Sequence, residues 1–483
     1  MDTQLVVLGG GPGGYAAAFL AADLGMQVTV VDLEPRLGGV CLLRGCIPSK
    51  ALLHVAKAIG EAAHLDDWGV SYPAPQIDVN TMRARKEKVI ATLTGGLKQV
   101  AKKRGVQVIQ AKAAFNNSQS LQLEAVGGEP LADAKLSFRH AIVATGSSPT
   151  WIPGFKLPTP RVMDSTGALE LPDVPESLLV VGGGYIGLEM GTVYAALGTR
   201  VSVVELTDGL LPGADRDLVK PLHARLQKSF AAIYLNTKVV GLADKTDSIE
   251  VTFAGTDAPK SQRYSRVLVA VGRRPNSAGL GLENTKVHID AKGFIVTDQQ
   301  KQTADPHILA IGDVAGEPML AHKAAHEGKV AVEFLAGSPA VFAPRAIPAV
   351  VFTDPEIAWA GLSESEAKRQ GRNVAVAMFP WAASGRAQAV GRTEGLTKWL
   401  IDPDTERVVG CGIVGAGAGE LIAEAVLAIE MGASVRDLTE SIHPHPTLSE
   451  TLGFAAEVFL GTATDLYKPK REKEKESAVG SRQ

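Results

Sequence analysis

Cysteine is scarce in this chain: Cys41, Cys46 and Cys411 are the three among 483 residues. So few exclude a secreted disulfide scaffold and point to a reducing compartment, where a disulfide is usually catalytic. Long apolar runs are missing too. No segment approaches about eighteen uninterrupted apolar residues, so no membrane span is expected. Neither sign of charge dominates, since 49 Lys and Arg stand against 52 Asp and Glu for a net charge of -3. That balance argues against a nucleic-acid or acidic-membrane surface. The first residues, MDTQLVVLGGGPGG, carry no basic region and read as a strand entering a turn, so a targeting segment is not expected and the location is expected to be cytoplasmic. The length suits about three domains with a large buried core. Glycine is what the chain has in plenty, 51 residues, falling mostly in phosphate-type turns.

Two segments look like copies of one unit: LVVLGGGPGGYAAAFLAADLGMQVTVVD from residue 5 and LLVVGGGYIGLEMGTVYAALGTRVSVVE from residue 178. Each reads as strand, glycine turn, helix, strand, and each ends in an acid, Asp32 and Glu205. Glycines in such a turn let a pyrophosphate approach a helix N-terminus, and the acid accepts ribose hydroxyls. Two copies in βαβ context point to two dinucleotide sites. A carboxylate at Glu205 accepts a free 2′-hydroxyl and repels a 2′-phosphate, so NAD(H) is expected over NADP(H).

Cys41 and Cys46 lie five apart in GGVCLLRGCIPSK, close in sequence to the first glycine turn. In a straight helix that spacing separates Cα atoms by roughly 8 to 9 Å, beyond disulfide reach. A bridge therefore needs a bend, for which Gly45 gives backbone freedom, while Pro48 suits the first turn of the following helix. Cys46 then sits at the positive end of that helix, where a thiolate is favoured. Two buried reduced cysteines or half of a zinc site are the alternatives. Zinc wants closer pairs and further ligands, and Cys411 is isolated, so no metal site is expected.

Two further runs, SFRHAIVATGSSP and SRVLVAVGRRPN, read as strands returning to each nucleotide unit, and HILAIGDV as a strand ending at Gly312 and Asp313. From about Ala346 the chain alternates strands with helices such as AGELIAEAVLAIEMG and TLSETLGFAAEVFLG, without a phosphate turn. The final KPKREKEKESAVGSRQ is charged and aperiodic, the composition of a disordered tail.

The combination of GGVCLLRGCIPSK, both glycine fingerprints, AIGDV, AHKAAHEG and HPHPTLSE resembles the class I flavoprotein disulfide reductases, nearly end to end. FPWAASGRA and the acid-tipped second fingerprint are similar to the dihydrolipoyl dehydrogenases within that class. The resemblance implies an α/β fold with two Rossmann-like dinucleotide-binding domains plus an α+β dimerisation domain. Residues 1–150 and 277–345 would form the FAD-binding and central domain, 151–276 the NAD-binding domain, 346–466 the interface domain and 467–483 the tail. FAD is expected on Gly9, Gly11, Gly14, Asp32, Gly39, Lys50, Ala113, Gly146, Asp313 and Ala321. Asp32 stands where many members carry the longer glutamate. NAD is expected on Gly182, Gly184, Tyr185, Ile186, Gly187, Glu205, Val239, Ala270, Gly272 and Arg273, with Tyr185 able to cover an empty nicotinamide pocket.

Further implications of the resemblance concern catalysis. Lys50 and Glu189 resemble an ion pair beside the flavin, the alternative being a solvated lysine and a surface glutamate. His445 and Glu450 fall where the family places its base and the carboxylate orienting it, with His443 a bystander. Cys41 is implied to exchange with substrate and Cys46 to face the flavin. A homodimer is implied, with lipoyl domains and the acyltransferase core of 2-oxo acid dehydrogenase complexes, or a glycine-cleavage lipoyl protein, as partners. A mercuric reductase would need a C-terminal cysteine pair, and a glutathione reductase basic residues in place of Glu205; Arg200 precedes its strand and is poorly placed for that task. A non-catalytic FAD- and NADH-binding sensor or scaffold would keep both fingerprints without needing His445 or Glu450.

Overall fold

The strands Asp2–Leu8 and Val28–Asp32 are apolar enough for the interior of a sheet, and Val28–Asp32 is buried at four successive positions. In the computed structural model, which describes residues 1–126, 131 and 133–466, they belong to a parallel sheet. Asp2–Leu8 lies between Val28–Asp32 and Lys135–Val143, with Gln107–Asn117 outside the former and Ile308–Ala310 outside the latter. The register sets Val6 opposite Thr29 on one side and Ala141 on the other. Ser120–Ala125 pairs antiparallel with Gln107–Asn117 and Lys135–Val143. The tail 467–483 lies outside the described residues.

A second parallel sheet repeats the plan. Its order is Ala232–Tyr234, Arg200–Val204, Ser177–Val181, Arg266–Val269 and Val162–Met163. In both sheets the glycine-turn strand is central, the acid-tipped strand lies on one side, and the returning strand on the other. The crevice beyond the strands' carboxyl ends opens where the order reverses, which is where such sheets bind ligands.

Both sheets belong to one compact unit, Met1–Pro212 with Leu226–Ala343. Within it, the helix Pro12–Asp23 meets the helix Ala321–Leu335 at backbone distance. A Cβ on Gly328 would lie 2.7 Å from the Gly13 carbonyl oxygen, and one on Gly13 3.0 Å from that of Ala324. Among the described residues one helical run, Gly39–Trp68, is long and apolar enough to cross a membrane, because isolated charges such as Lys50 do not outweigh its apolar content. It breaks at Gly45, and Lys50 within it pairs with Glu189 of the helix Tyr185–Ala196.

The second compact unit consists of Gly213–Arg225 and the chain from Pro344. Its antiparallel sheet runs Ala349–Val351, Glu356–Gly361, Val408–Gly415, Leu396–Ile401, Ala375–Pro380, with Ala418–Met431 and Glu450–Leu460 as its main helices. This is the α+β arrangement expected from about Ala346. The segment Gly213–Arg225 comes from inside the stretch 151–276, and Lys398 explains its place. The buried Lys398 ammonium donates to Asp215 at 3.0 Å and Asp217 at 2.8 Å, and also pairs with Glu364.

Candidate active site

The first glycine turn is built to let another group approach the backbone. A Cβ on Gly14 would lie 1.8 Å from the Gly9 carbonyl oxygen; one on Gly9, at φ +106°, would lie 2.3 Å from that of Ala144. Across from the turn, Gly39 (φ +58°) comes so near that its Cβ would stand 2.6 Å from Gly11 Cα. The helix Pro12–Asp23 starts here without an acidic first turn or a side-chain cap, leaving N–H groups directed outward. Asp32 accepts from the Gly10 N–H and, at 2.8 Å, from the Glu34 N–H. Burial pushes its carboxyl above the usual range, against the pull of those donors.

Gly9, Gly11, Asp32 and Gly39 line a cavity of about 940 Å³. Ala113, Gly146, Asp313 and Ala321 add further wall, brought in by four separate stretches of the chain. The space and the bare glycine backbone fit a dinucleotide, and no side chain fills the cradle. Gly14 sits beneath the turn in the helix rather than on the cavity wall.

The dithiol occupies the same wall. Cys41 lies in the short helix Gly39–Arg44 and Cys46 is the first residue of the helix Cys46–His64, with Gly45 at φ −145°, ψ −114° between them. That break turns the chain back, so that a Cβ on Gly45 would lie 3.3 Å from Cys41 Cα, and both thiols line the cavity. The neighbouring Cys41 thiol, opposed by burial and aided by the Lys50 charge, draws the Cys46 thiol down to about 7, while Cys46 and burial push Cys41 well above an ordinary thiol. Lys50 Nζ is 2.8 Å from Glu189 Oε2, and Glu189 is nearly buried, so the pair is neither a solvated lysine nor a surface glutamate. Both line the cavity.

At the second turn the same physics recurs. A Cβ on Gly182 (φ +108°) would lie 2.5 Å from the Ala270 carbonyl oxygen, and one on Gly187 2.5 Å from that of Gly182. Glu205 Oε2 accepts the Gly183 N–H at 2.7 Å, while its Oε1 accepts from the Thr207 N–H and hydroxyl at 2.8 and 2.9 Å. Gly184 caps the helix Tyr185–Ala196 with open space around it, and Gly272 is likewise open at φ +123°. Tyr185, Ile186 and Arg273 reach the first cavity. Tyr185 is 41% exposed at the cavity mouth. Val239 is buried with Val251 and Phe253 in an apolar core, and its strand pairs it with Phe253, so it does not reach the cavity wall.

In the second compact unit, His445 Nδ1 and Glu450 Oε1 are 2.9 Å apart, and the Glu450 carboxylate also accepts the Thr447 N–H at 2.7 Å. The imidazole is 78% exposed and its carboxylate partner 10%. A fixed carboxylate on Nδ1 leaves Nε2 free to take a proton from a group arriving from solvent. His443 is held in place by its own partners. Its Nε2 is 2.7 Å from Glu424 Oε1 and its Nδ1 3.0 Å from the Ser441 carbonyl, so the ring is clamped and only 13% exposed. Glu424 was not legible in the sequence, because it lies on the separate helix Ala418–Met431. Ser147 was missed for the same reason. Its hydroxyl donates to Asp313 Oδ2 at 2.5 Å and accepts from Arg273 Nε at 2.7 Å, tying three distant segments together.

Residues 3–328 match the family model described as pyridine nucleotide-disulphide oxidoreductase, and 347–456 match its dimerisation domain. The chain is 50% identical over 476 residues to a dihydrolipoyl dehydrogenase of Vibrio parahaemolyticus, covering 98% of this chain and 99% of that one. It is also 50% identical to the dihydrolipoyl dehydrogenase of Haemophilus influenzae, covering 96% and 97%. Among solved structures, LpdA from Mycobacterium tuberculosis superimposes with a TM-score of 0.87 at 28% identity, covering 94% of this chain and 99% of that one.

Proposed function

From a chain that belongs to the pyridine nucleotide-disulphide oxidoreductase family, we propose an enzyme that oxidises dihydrolipoamide to lipoamide and reduces NAD⁺ to NADH. FAD and NAD are its cofactors. One observation carries the reading: a dithiol with one acidified sulfur lies on the wall of a glycine-cradled cavity, beside the Lys50–Glu189 pair.

FAD bound in this cavity supplies a two-electron relay between a dithiol and a nicotinamide. Gly9, Gly11, Gly14, Asp32, Gly39, Lys50, Ala113, Gly146, Asp313 and Ala321 would hold it. Gly182, Gly184, Tyr185, Ile186, Gly187, Glu205, Val239, Ala270, Gly272 and Arg273 would hold NAD. The proposed division is 1–150 with 277–345 for FAD, 151–276 for NAD and 346–466 for the interface, although Gly213–Arg225, inside 151–276, groups with the second compact unit.

In the oxidised enzyme Cys41 and Cys46 share a disulfide. His445 takes a proton from one substrate thiol at Nε2, and the thiolate attacks the Cys41 sulfur. A substrate–Cys41 bond forms as the Cys41–Cys46 bond breaks, and Cys46 departs as a thiolate stabilised by its helix start and by Lys50. The second substrate thiol then displaces Cys41, closing the lipoamide disulfide and leaving the enzyme dithiol. Glu450 holds the imidazole tautomer and stabilises the imidazolium.

A homodimer completes the site, with His445 and Glu450 serving the partner subunit's dithiol. Leu427, Met431 and Ile442, all strongly exposed beside that loop and its bracing helix, support burial against a second copy. Lipoyl domains and the acyltransferase core of a 2-oxo acid dehydrogenase complex, or a glycine-cleavage lipoyl protein, are the proposed partners, and the cytoplasm the compartment. The test is steady-state turnover of dihydrolipoamide. We expect reduction of NAD⁺ in strong preference to NADP⁺, and a fall of about 10²–10⁴-fold in His445→Gln with flavin content intact. Undiminished turnover in that variant would remove His445 as the base, and a wild-type protein that binds both nucleotides without turning over dihydrolipoamide would leave a non-catalytic FAD- and NADH-binding protein as the better reading.

A further inference from the structure

Three buried charged side chains stand behind one wall of the cavity and take no part in thiol exchange. Glu327 is 1% exposed, and its Oε1 lies 3.1 Å from the Nζ of both Lys301 and Lys323. Its Oε2 accepts the Gly312 N–H at 2.7 Å. Gly312 and Asp313 line the cavity, as do Ala321 and Ala324 on either side of Lys323. The cluster is therefore one hydrogen bond behind that wall.

Two ammonium groups share one carboxylate. Among the described residues the ion pairs of both lysines run to Glu327. Their other partners carry no counter-charge: Lys323 Nζ donates to the Gly316 carbonyl at 3.0 Å, and Lys301 Nζ lies 4.7 Å from the Phe342 ring centroid. One positive charge is left over in the interior, where burial is expensive and the field is weakly screened. The N-terminus of the helix Ala321–Leu335, without an acidic first turn, adds partial positive charge to the same wall.

We propose that Lys301, Lys323 and Glu327 raise the reduction potential of the flavin held in this cavity. This rests on the FAD reading above. Uptake of two electrons and one proton leaves an isoalloxazine one negative charge richer, and the surplus positive charge stabilises that form. Glu327 is the positioning residue, holding both lysines and the Gly312–Asp313 turn at once.

The test uses the purified flavin-bound enzyme and its Lys323→Met and Glu327→Gln variants. Each is titrated reductively with dithionite against an indicator dye while the oxidised flavin's visible absorbance is followed. Lys323→Met should lower the midpoint and Glu327→Gln should raise it, each by about tenfold in the oxidised-to-reduced ratio at a fixed dye potential. Lys301→Met, expected to move with Lys323→Met, keeps the test intact should Glu327→Gln fail to fold. Lysine variants that retain flavin without a lowered midpoint, or a lowered midpoint in Glu327→Gln, overturn the inference and leave the cluster as a brace. Wild-type enzyme without flavin overturns the FAD reading and the inference with it.

Discussion

Cys46 shows what one residue's surroundings do to its chemistry. The neighbouring Cys41 thiol and the Lys50 charge outweigh burial and the Glu189 charge and bring the Cys46 thiol down to about 7. An acid with a depressed pKa is ionised above that value. Alkylation of the reduced enzyme at Cys46 is therefore expected to reach half its maximal rate near pH 7, and in Lys50→Met only at higher pH. Peptide mapping of iodoacetamide adducts across pH checks this; a midpoint at the ordinary thiol value of about 8.5 would contradict it. Asp32 and Glu205 were legible from spacing alone, because the fingerprint places an acid at a fixed distance beyond its glycines. What they bind in the protein was not. Each carboxylate also fastens the middle glycine of its own turn, through the Gly10 and Gly183 N–H groups. The pairing of His443 with Glu424 could not be read from the sequence, because Glu424 approaches only after the helices pack.

At the level of elements, the strand–turn–helix units were readable because their signals are local. A run of apolar residues, a glycine turn and a helix without an interrupting proline specify themselves over about thirty residues. The break at Gly45 was readable for the same reason, since a straight helix cannot bring Cys41 to Cys46. Gly14→Ala probes the cradle. The new methyl would lie 1.8 Å from the Gly9 carbonyl oxygen, so the turn must shift. Such overpacking costs about 1–3 kcal/mol, and the purified variant should show reduced thermal stability and little bound flavin. A wild-type flavin-to-protein absorbance ratio in that variant would show that the cradle tolerates the shift. The crossing of Pro12–Asp23 with Ala321–Leu335 through Gly13 and Gly328 had no such local signature, as the two glycines lie far apart in sequence.

For the whole molecule, Lys398 is the clearest test of the second unit. Burial alone would lower its ammonium, but Asp217, Glu364 and Asp215 reverse that and leave it raised, while Asp215 is lowered despite burial by the Glu364 N–H and Lys398. The stabilisation from Asp215 is present above the unfolded carboxylate value of about 3.9 and is lost as pH falls through its lower folded value. That from Lys398 is present below about 10.4 and is lost as pH rises through its higher folded value. Lys398→Met strands its carboxylates, at a cost of about 3–5 kcal/mol. Urea unfolding followed through the buried Trp381 and Trp399 should show the midpoint fall at neutral pH; an unchanged midpoint would mean the carboxylates relax into water. The sequence by itself determined the two nucleotide units, the dithiol and its bend, and the acids at the strand ends, because each depends on residues near one another in the chain. Only the tertiary structure decided that Lys50 meets Glu189, that Ser147 joins Asp313 to Arg273, that Glu424 clamps His443, and that two lysines share Glu327 behind the cavity. Those pairings depend on which elements pack together, and residues far apart in sequence leave no periodicity from which such meetings can be read.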